Sequence, residues 1–142
     1  MKKPIHILSA AILWFPLTFL TAKVMNAPLV ARPSEPVKPL KVWTGEASWY
    51  GAEFEGRKTA NGEEFDPELL TAAHLKLPFG SIVRVVNPRN NKYEVVRIND
   101  RGPYHEGREI DVSYRVAQRI GLVQSGVGRV RLELLQLPEK RH

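Results

Sequence analysis

The feature that most narrows the fold is a pair of β-branched runs, Ser81–Val86 (SIVRVV) and Tyr93–Ile98 (YEVVRI), joined by the turn-forming stretch Asn87-Pro88-Arg89-Asn90-Asn91. Runs of this kind bounded by Asn and Pro read as strands, and the short connection makes them a hairpin. Their nearly unbroken apolar character predicts cover on both faces, as in a barrel wall. A third strand, Gly128–Gln136, begins with strict alternation that points Val130, Leu132 and Leu134 inward and Arg129, Arg131 and Glu133 outward. Trp43–Tyr50 is a fourth. Two short helices fit the remainder. Asp66-Pro67 supplies a capping carboxylate and a first-turn proline for a helix over Glu68–His74. Ser113 caps Tyr114–Ile120, with Gly121 as the stop. Many short strands with one- or two-turn helices in the crossovers predict a mainly β fold, a small barrel rather than a sandwich or a βαβ sheet.

At 142 residues the chain has room for one domain and an appendage. Residues 1–27 read as a signal peptide or an N-terminal anchor, since Lys2 and Lys3 precede an apolar stretch from Ile7 to Ala22. That stretch is shorter than the ~20 residues of a comfortable membrane span. The small-residue cleavage pattern is poor, with Leu20 two positions before Ala22 and Met25 two before Ala27. Cleavage and retention as a membrane attachment both stay open, and either exports the rest to the periplasm or cell envelope. Residues 28–41 form a spacer in which Pro28, Pro33, Pro36 and Pro39 fix φ and remove amide donors. The folded domain is expected over residues 42–137, as a monomer.

The chain contains no cysteine, which removes disulfides, thiolate metal sites, a catalytic thiol and the acylated Cys of a lipoprotein. The net charge of +6 is unevenly spread. Residues 1–40 carry five Lys/Arg and one acid, leaving 16 basic and 14 acidic groups over residues 41–142, a balance of only +2. A nucleic-acid-binding face needs concentrated positive charge, so no nucleic-acid partner is expected. Metal binding is equally unsupported, because His6, His74, His105 and His142 show no ligand spacing.

Three clusters place polar groups where core packing does not require them. They are Ala47–Gly51 with Thr59–Phe65, Leu70–His74, and Arg97–Tyr104 with Gly107–Ser113 behind it. Asp100 ends an apolar strand and opens a Gly-Pro turn, so it should sit half out of water at a rim. Partial burial favours the protonated form and a neighbouring Arg97 or Arg101 the ionised one, and a proton donor needs the first to prevail. The competing reading has Asn99 and Asp100 capping turn amides. His74 falls in the last turn of the expected helix, where a histidine suits the C-terminal dipole. Glu63 follows an Asn-Gly turn and is equally well a surface carboxylate. Asp111 is expected to join the cap of the second helix or to pair with Arg108. Trp49, Tyr50 and Tyr104 are either core or stacking platforms for sugar rings, and Arg57, Lys58 and Arg101 can meet anionic groups on a glycan.

In order, G-x-A-S-W-Y-G (Gly45–Gly51), R-K-T-A-N-G-E-x-F (Arg57–Phe65), L-T-A-A-H (Leu70–His74), L-P-x-G-S-x-V-x-V-x-N (Leu77–Asn87), V-R-I-N-D-R-G-P-Y (Val96–Tyr104), G-R-x-I-D-V-S (Gly107–Ser113) and V-R-x-E-x-L (Val130–Leu135) resemble the barrel domain of the rare lipoprotein A (RlpA) lytic transglycosylases. Seven ordered blocks are a specific signal where any one would be weak. The resemblance implies a six-stranded double-psi β-barrel, shared with expansins, and a groove for a β-1,4-glycan. It implies endolytic cleavage of peptidoglycan between N-acetylmuramic acid and N-acetylglucosamine, on strands lacking stem peptides, leaving 1,6-anhydro ends without any cofactor. The family's catalytic aspartate falls on Asp100, its assisting glutamate on Glu63 and its histidine on His74. Trp49, Tyr50, Asn99, Arg101, Tyr104 and Asp111 are then the expected substrate contacts. Two departures stand out. There is no cysteine to acylate, and the C-terminal glycan-binding repeat domain of septal members is not expected, since the chain stops seven residues after Leu135. A non-catalytic, expansin-like glycan-binding or wall-loosening module is the alternative.

Overall fold

The hairpin sits at the heart of the computed structural model, which describes residues 36–139. Strand β3 (Ile82–Val86) and strand β4 (Tyr93–Asp100) pair antiparallel from Ile82↔Arg97 to Val86↔Tyr93. Four more strands complete the wall, namely β1 (Lys41–Trp49), β2 (Thr71–Ala73), β5 (Arg108–Val112) and β6 (Val127–Gln136). They close into a barrel in the order β1-β5-β2-β4-β3-β6. Two neighbouring pairs, β1 with β5 and β2 with β4, run parallel, and the other pairs run antiparallel. A parallel pair needs a crossover, and here the crossovers carry the loops that build the site.

The barrel is filled by Val83 and Val85 of β3, Val96 and Ile98 of β4, Ile110 and Val112 of β5, and Val130 and Leu132 of β6, all essentially solvent-free. One end is plugged by α1 (Tyr114–Ile120), which buries Val116, Ala117 and Ile120. Ser113 caps that helix as the sequence predicted, its hydroxyl accepting from the Val116 amide, and Gly121 ends it at φ +73°. The other side of the cap was not legible in advance. Asn87 and Asn90 of the β3–β4 turn donate their side-chain amides to the Ile120 carbonyl at 2.8 and 3.1 Å, satisfying an acceptor the helix end would otherwise leave open.

Three expectations change. The helix over Glu68–His74 is absent. Asp66 does cap a turn, accepting from the Glu68 amide at 2.8 Å, but Thr71–Ala73 then straighten into β2. A two-turn helix is marginal alone, whereas β2 gains ladder partners on β4 and β5 at once. Glu133 is on the outer face, yet it is only 6 % exposed because Arg84 and Arg131 close over it at 2.6 and 2.9 Å. The outer faces of β3 and β4 are half-covered rather than buried, with Ile82, Arg84, Val95 and Arg97 in that layer. The leader, residues 1–27, and the spacer as far as residue 35 lie outside the described residues. Among the described residues, no helix is long and apolar enough to cross a membrane.

Candidate active site

The strand registers bring two carboxylates to one place. Ser48 pairs with Asp111 across β1 and β5, Asp111 with Ala73 across β5 and β2, and Ala73 with Asp100 across β2 and β4. Asp100 and Asp111 therefore flank one alanine, whose methyl is too small to fill the space between them. The result is a cleft of about 400 Å³ with Asp100, Asp111 and Ala73 along it and Tyr50, Phe65 and Tyr104 among its walls. Just past Asp100, Gly102 takes φ +133°, a conformation that side chains rarely tolerate.

Asp100 is half-buried and makes no ion pair among the described residues. Its Oδ1 accepts the backbone N–H groups of Ala60 and Arg101, each at 2.8 Å. Its Oδ2 has no protein hydrogen bond among the described residues. Asp111 Oδ1 accepts from the Ser48 hydroxyl, and Arg108 donates to that hydroxyl oxygen at 3.1 Å. Asp111 thus neither caps the helix nor pairs directly with Arg108 as the sequence had suggested. Ser48 relays between them.

Tyr50 stands over both carboxylates. Its phenol oxygen is buried without a hydrogen-bond partner among the described residues, and its ring packs against Phe65 at 4.4 Å. Burial, reinforced by the negative charges of Asp100 and Asp111, pushes the phenol's pKa up, so it stays protonated. Tyr104 is 79 % exposed at the rim. Arg101 also lines the cleft, but its guanidinium donates to the carbonyls of His74 and Leu77 at 3.1 and 3.0 Å and lies 3.7 Å over the Phe79 ring. Its charge serves the loop after β2. The other basic groups of the rim are Arg57, 5.4 Å over the Phe54 ring, Lys58, which donates to the Gly62 carbonyl at 3.4 Å, and His105.

Glu63 is not in the cleft. Arg97 grips it with two parallel hydrogen bonds of 2.7 and 2.8 Å, and Asn61 and Asn99 add a third and fourth at 2.8 and 3.1 Å. The Arg97 hydrogen bonds, with smaller help from Asn99 and Asn61 and against some burial, pull its pKa down to about 2. This network pins the loop Thr59–Glu63, and the loop's Ala60 amide is the donor to Asp100. Asn99 itself is only 2 % exposed and turned from the cleft, bonded to Glu63 rather than free for substrate.

His74 is similarly indirect. Its backbone N–H donates to the Asp100 carbonyl at 3.2 Å. The ring is buried, and its Nδ1 accepts the amides of Lys76 and Leu77, both at 3.0 Å. Two donors converging on Nδ1 put the proton on Nε2, which faces Glu109 Oε1 at 3.3 Å, where the Trp43 indole also donates at 3.0 Å. Burial lowers the ring's pKa, opposed by the Glu109 charge. Trp49, though adjacent to Tyr50, points the other way and lines a second cleft.

Of the expected site residues, Tyr50, Asp100, Arg101, Tyr104 and Asp111 share the cleft, while Glu63, His74, Asn99 and Trp49 do not line it. Sequence reasoning missed the Ala60 amide, because a backbone donor leaves no mark in a residue string, and the Ser48 relay, because its partner is 63 residues away. Among the described residues, no group of three His, Asp or Glu could hold a metal ion. What the cleft offers is one carboxyl with an anchored and a free oxygen, a protonated phenol, aromatic walls and a basic rim. That set suits proton transfer on an anionic carbohydrate.

Residues 42–132 match the family model described as lytic transglycolase. The chain is 53 % identical over 92 residues to the endolytic peptidoglycan transglycosylase RlpA of Vibrio cholerae, covering 65 % of this chain and 35 % of that protein. It is 58 % identical over 92 residues to the probable endolytic peptidoglycan transglycosylase RlpA of a Synechocystis strain, covering 65 % and 29 %. The chain thus spans about a third of the length of the curated relatives it matches. Among solved structures it is similar to the Streptomyces papain inhibitor, with TM-score 0.57, 17 % identity and coverage of 71 % and 100 % of the two chains. It is also similar to the Clavibacter michiganensis expansin, with TM-score 0.55, 15 % identity and coverage of 70 % and 53 %. At these identities the two structures speak for a shared barrel.

Proposed function

The chain belongs to the lytic transglycolase family, with the six-stranded double-psi β-barrel its resemblance implied, and on that premise we propose that it is an endolytic peptidoglycan lytic transglycosylase. Its substrate is the glycan strand without stem peptides, cut between N-acetylmuramic acid and N-acetylglucosamine. The chain acts outside the cytoplasm, in the periplasm or cell envelope, as a monomer exported by its N-terminal segment.

The observation that supports this most directly is Asp100, held in the cleft by two amides on one oxygen and unencumbered on the other. In its protonated form Asp100 gives its proton to the glycosidic oxygen as the C1–O4 bond breaks, releasing the N-acetylglucosamine 4-hydroxyl. The resulting carboxylate takes the proton from the muramyl O6 hydroxyl while O6 bonds to C1. One carboxyl acts first as acid and then as base, water is not consumed, and the product ends in 1,6-anhydromuramic acid. An ordinary glycosidase divides these tasks between two carboxyls. The Tyr50 phenol and Asp111 are the near neighbours that contact the sugar, with Tyr104 as a stacking platform at the rim. Arg57 and Lys58 meet the lactyl carboxylate that a muramyl residue exposes when its peptide is gone. Glu63 and His74 are positioning residues, the first through the Ala60 loop and the second through the loop that follows β2.

The test is the product. Incubation with denuded glycan strands should yield anhydromuramyl ends by mass spectrometry, and Asp100→Asn should lower their release by at least about 10²-fold with the fold intact. Reducing ends heavier by one water would make the protein a hydrolase, and binding without release would make it a glycan-binding module.

A further inference from the structure

Trp49 ends β1 in a second cleft, of about 490 Å³, that the catalytic reading leaves without a task. Its indole packs against the Tyr114 ring with centroids 5.2 Å apart, and its Nε1–H is buried with no hydrogen-bond partner among the described residues. A buried donor left unpaired is costly, so such a group marks a place where something else supplies the acceptor. Pro67, Glu53 and Glu68 form the rest of the wall that matters here. Glu68 is paired with Arg115, whereas Glu53 makes no ion pair among the described residues. The two clefts lie on either side of one short stretch of chain. Tyr50 and Phe54 face the first, while Trp49, Gly51 and Glu53 face the second.

We propose that this second cleft is a sugar subsite for the uncharged N-acetylglucosamine units of the strand. The inference rests on the glycan reading above and deepens it. An aromatic pair offers an apolar platform for the C–H face of a pyranose ring. The indole N–H donates to a hydroxyl or acetamido oxygen, and the Glu53 carboxylate accepts from a hydroxyl or acetamido N–H. The sign of the charge separates the two clefts. Arg57 and Lys58 give the first a basic rim suited to a muramyl carboxylate, and Glu53, which makes no ion pair among the described residues, gives the second a negative charge that repels one. Because the strand alternates charged and uncharged sugars, two clefts of opposite sign read its register, and not merely its length.

The experiment titrates the full chain carrying Asp100→Asn, labelled with ¹⁵N, with chitotetraose as a neutral N-acetylglucosamine probe. The Trp49 indole resonance, assigned by its loss in Trp49→Phe, should move saturably. Trp49→Phe keeps a ring and removes the donor, and should weaken binding by about fivefold. Glu53→Gln should weaken it less, and Glu53→Lys more. An unmoved Trp49 indole, or shifts confined to Tyr104 and His105 of the first cleft, overturns the proposal. The wild-type product assay keeps the two readings apart. Anhydromuramyl ends with a silent Trp49 would remove only the subsite, and a responsive Trp49 without anhydromuramyl ends would leave the subsite and remove the transglycosylase.

Discussion

The Ala60 amide donates to Asp100 Oδ1 at 2.8 Å across 40 residues of sequence, and nothing about either residue type requires it. The donor is in place because Glu63, three residues on, is locked to Arg97 on the same strand that carries Asp100. A surface loop and the Asp100 carboxyl are in this way fastened to one another.

Glu63→Gln should therefore damage activity without touching substrate. The amide keeps some hydrogen bonds but loses the charge that makes the Arg97 pair strong. Both partners are partly exposed, with side chains 37 % and 40 % accessible, so solvent screening limits the stability loss to about 1 kcal/mol. The expected result is a fall in Tm of about 5 °C. Turnover should fall by on the order of tenfold, through misplacement of the Ala60 donor, with KM little changed. Thermal unfolding and steady-state product release check the two separately.

Acid should act through the same carboxylate. In the fold its pKa sits at about 2 against 4.5 for an unperturbed glutamate. Between those values the unfolded chain binds a proton that the folded one does not, so the stability Glu63 contributes falls as pH drops from about 4.5 towards 2 and is constant above that window. Glu133, held below its usual range by Arg131 and Arg84 against burial, adds a loss of the same sign. Urea midpoints at successive pH values should show a slope below pH 4.5 that is shallower in Glu63→Gln.

His74 should prove to be a structural pin. His74→Ala strands the Lys76 and Leu77 amides and should cost about 2 kcal/mol by urea denaturation, with His74→Asn, which can still accept, recovering part of it. Because burial depresses the ring's pKa, the neutral ring's contribution is full above pH 6.5 and is lost as pH falls through the folded value. Imidazole ¹⁵N spectra at neutral pH should show the Nε2–H tautomer.

Tyr50→Phe separates catalysis from stability in the opposite sense. Its hydroxyl has no partner among the described residues, so removal should leave Tm unchanged or slightly higher. Product release should drop by about tenfold if the phenol donates to the sugar in the transition state. Unchanged kinetics would take Tyr50 out of the reaction.

The wall of the barrel was largely readable, and the site less so, for a physical reason. β3, β4 and β6 announce themselves because their alternate residues Val83, Val85, Val96, Ile98, Val130 and Leu132 fill the core. β2 did not, since Thr71–Ala73 carries no periodicity of its own and is made a strand by its neighbours. The half-buried rim position of Asp100 was legible from its place between an apolar run and a Gly-Pro turn, whereas its assignment to the site came from the family resemblance, and its Oδ1 does also hold the turn amide of Arg101. Glu63 and His74 were legible as residues but not as contacts, because their partners Arg97 and Glu109 lie 34 and 35 positions away. Those contacts emerge only once the registers are known.

The barrel closes where its first strand, β1, meets its last, β6, from Lys41↔Leu134 to Ser48↔Val127. No partial chain can make that seam, so the cylinder stays open until its final segment arrives. Pairings between such distant stretches also form slowly. Late closure of this kind postpones the finished cylinder until residues 127–136 are available to meet residues 41–48.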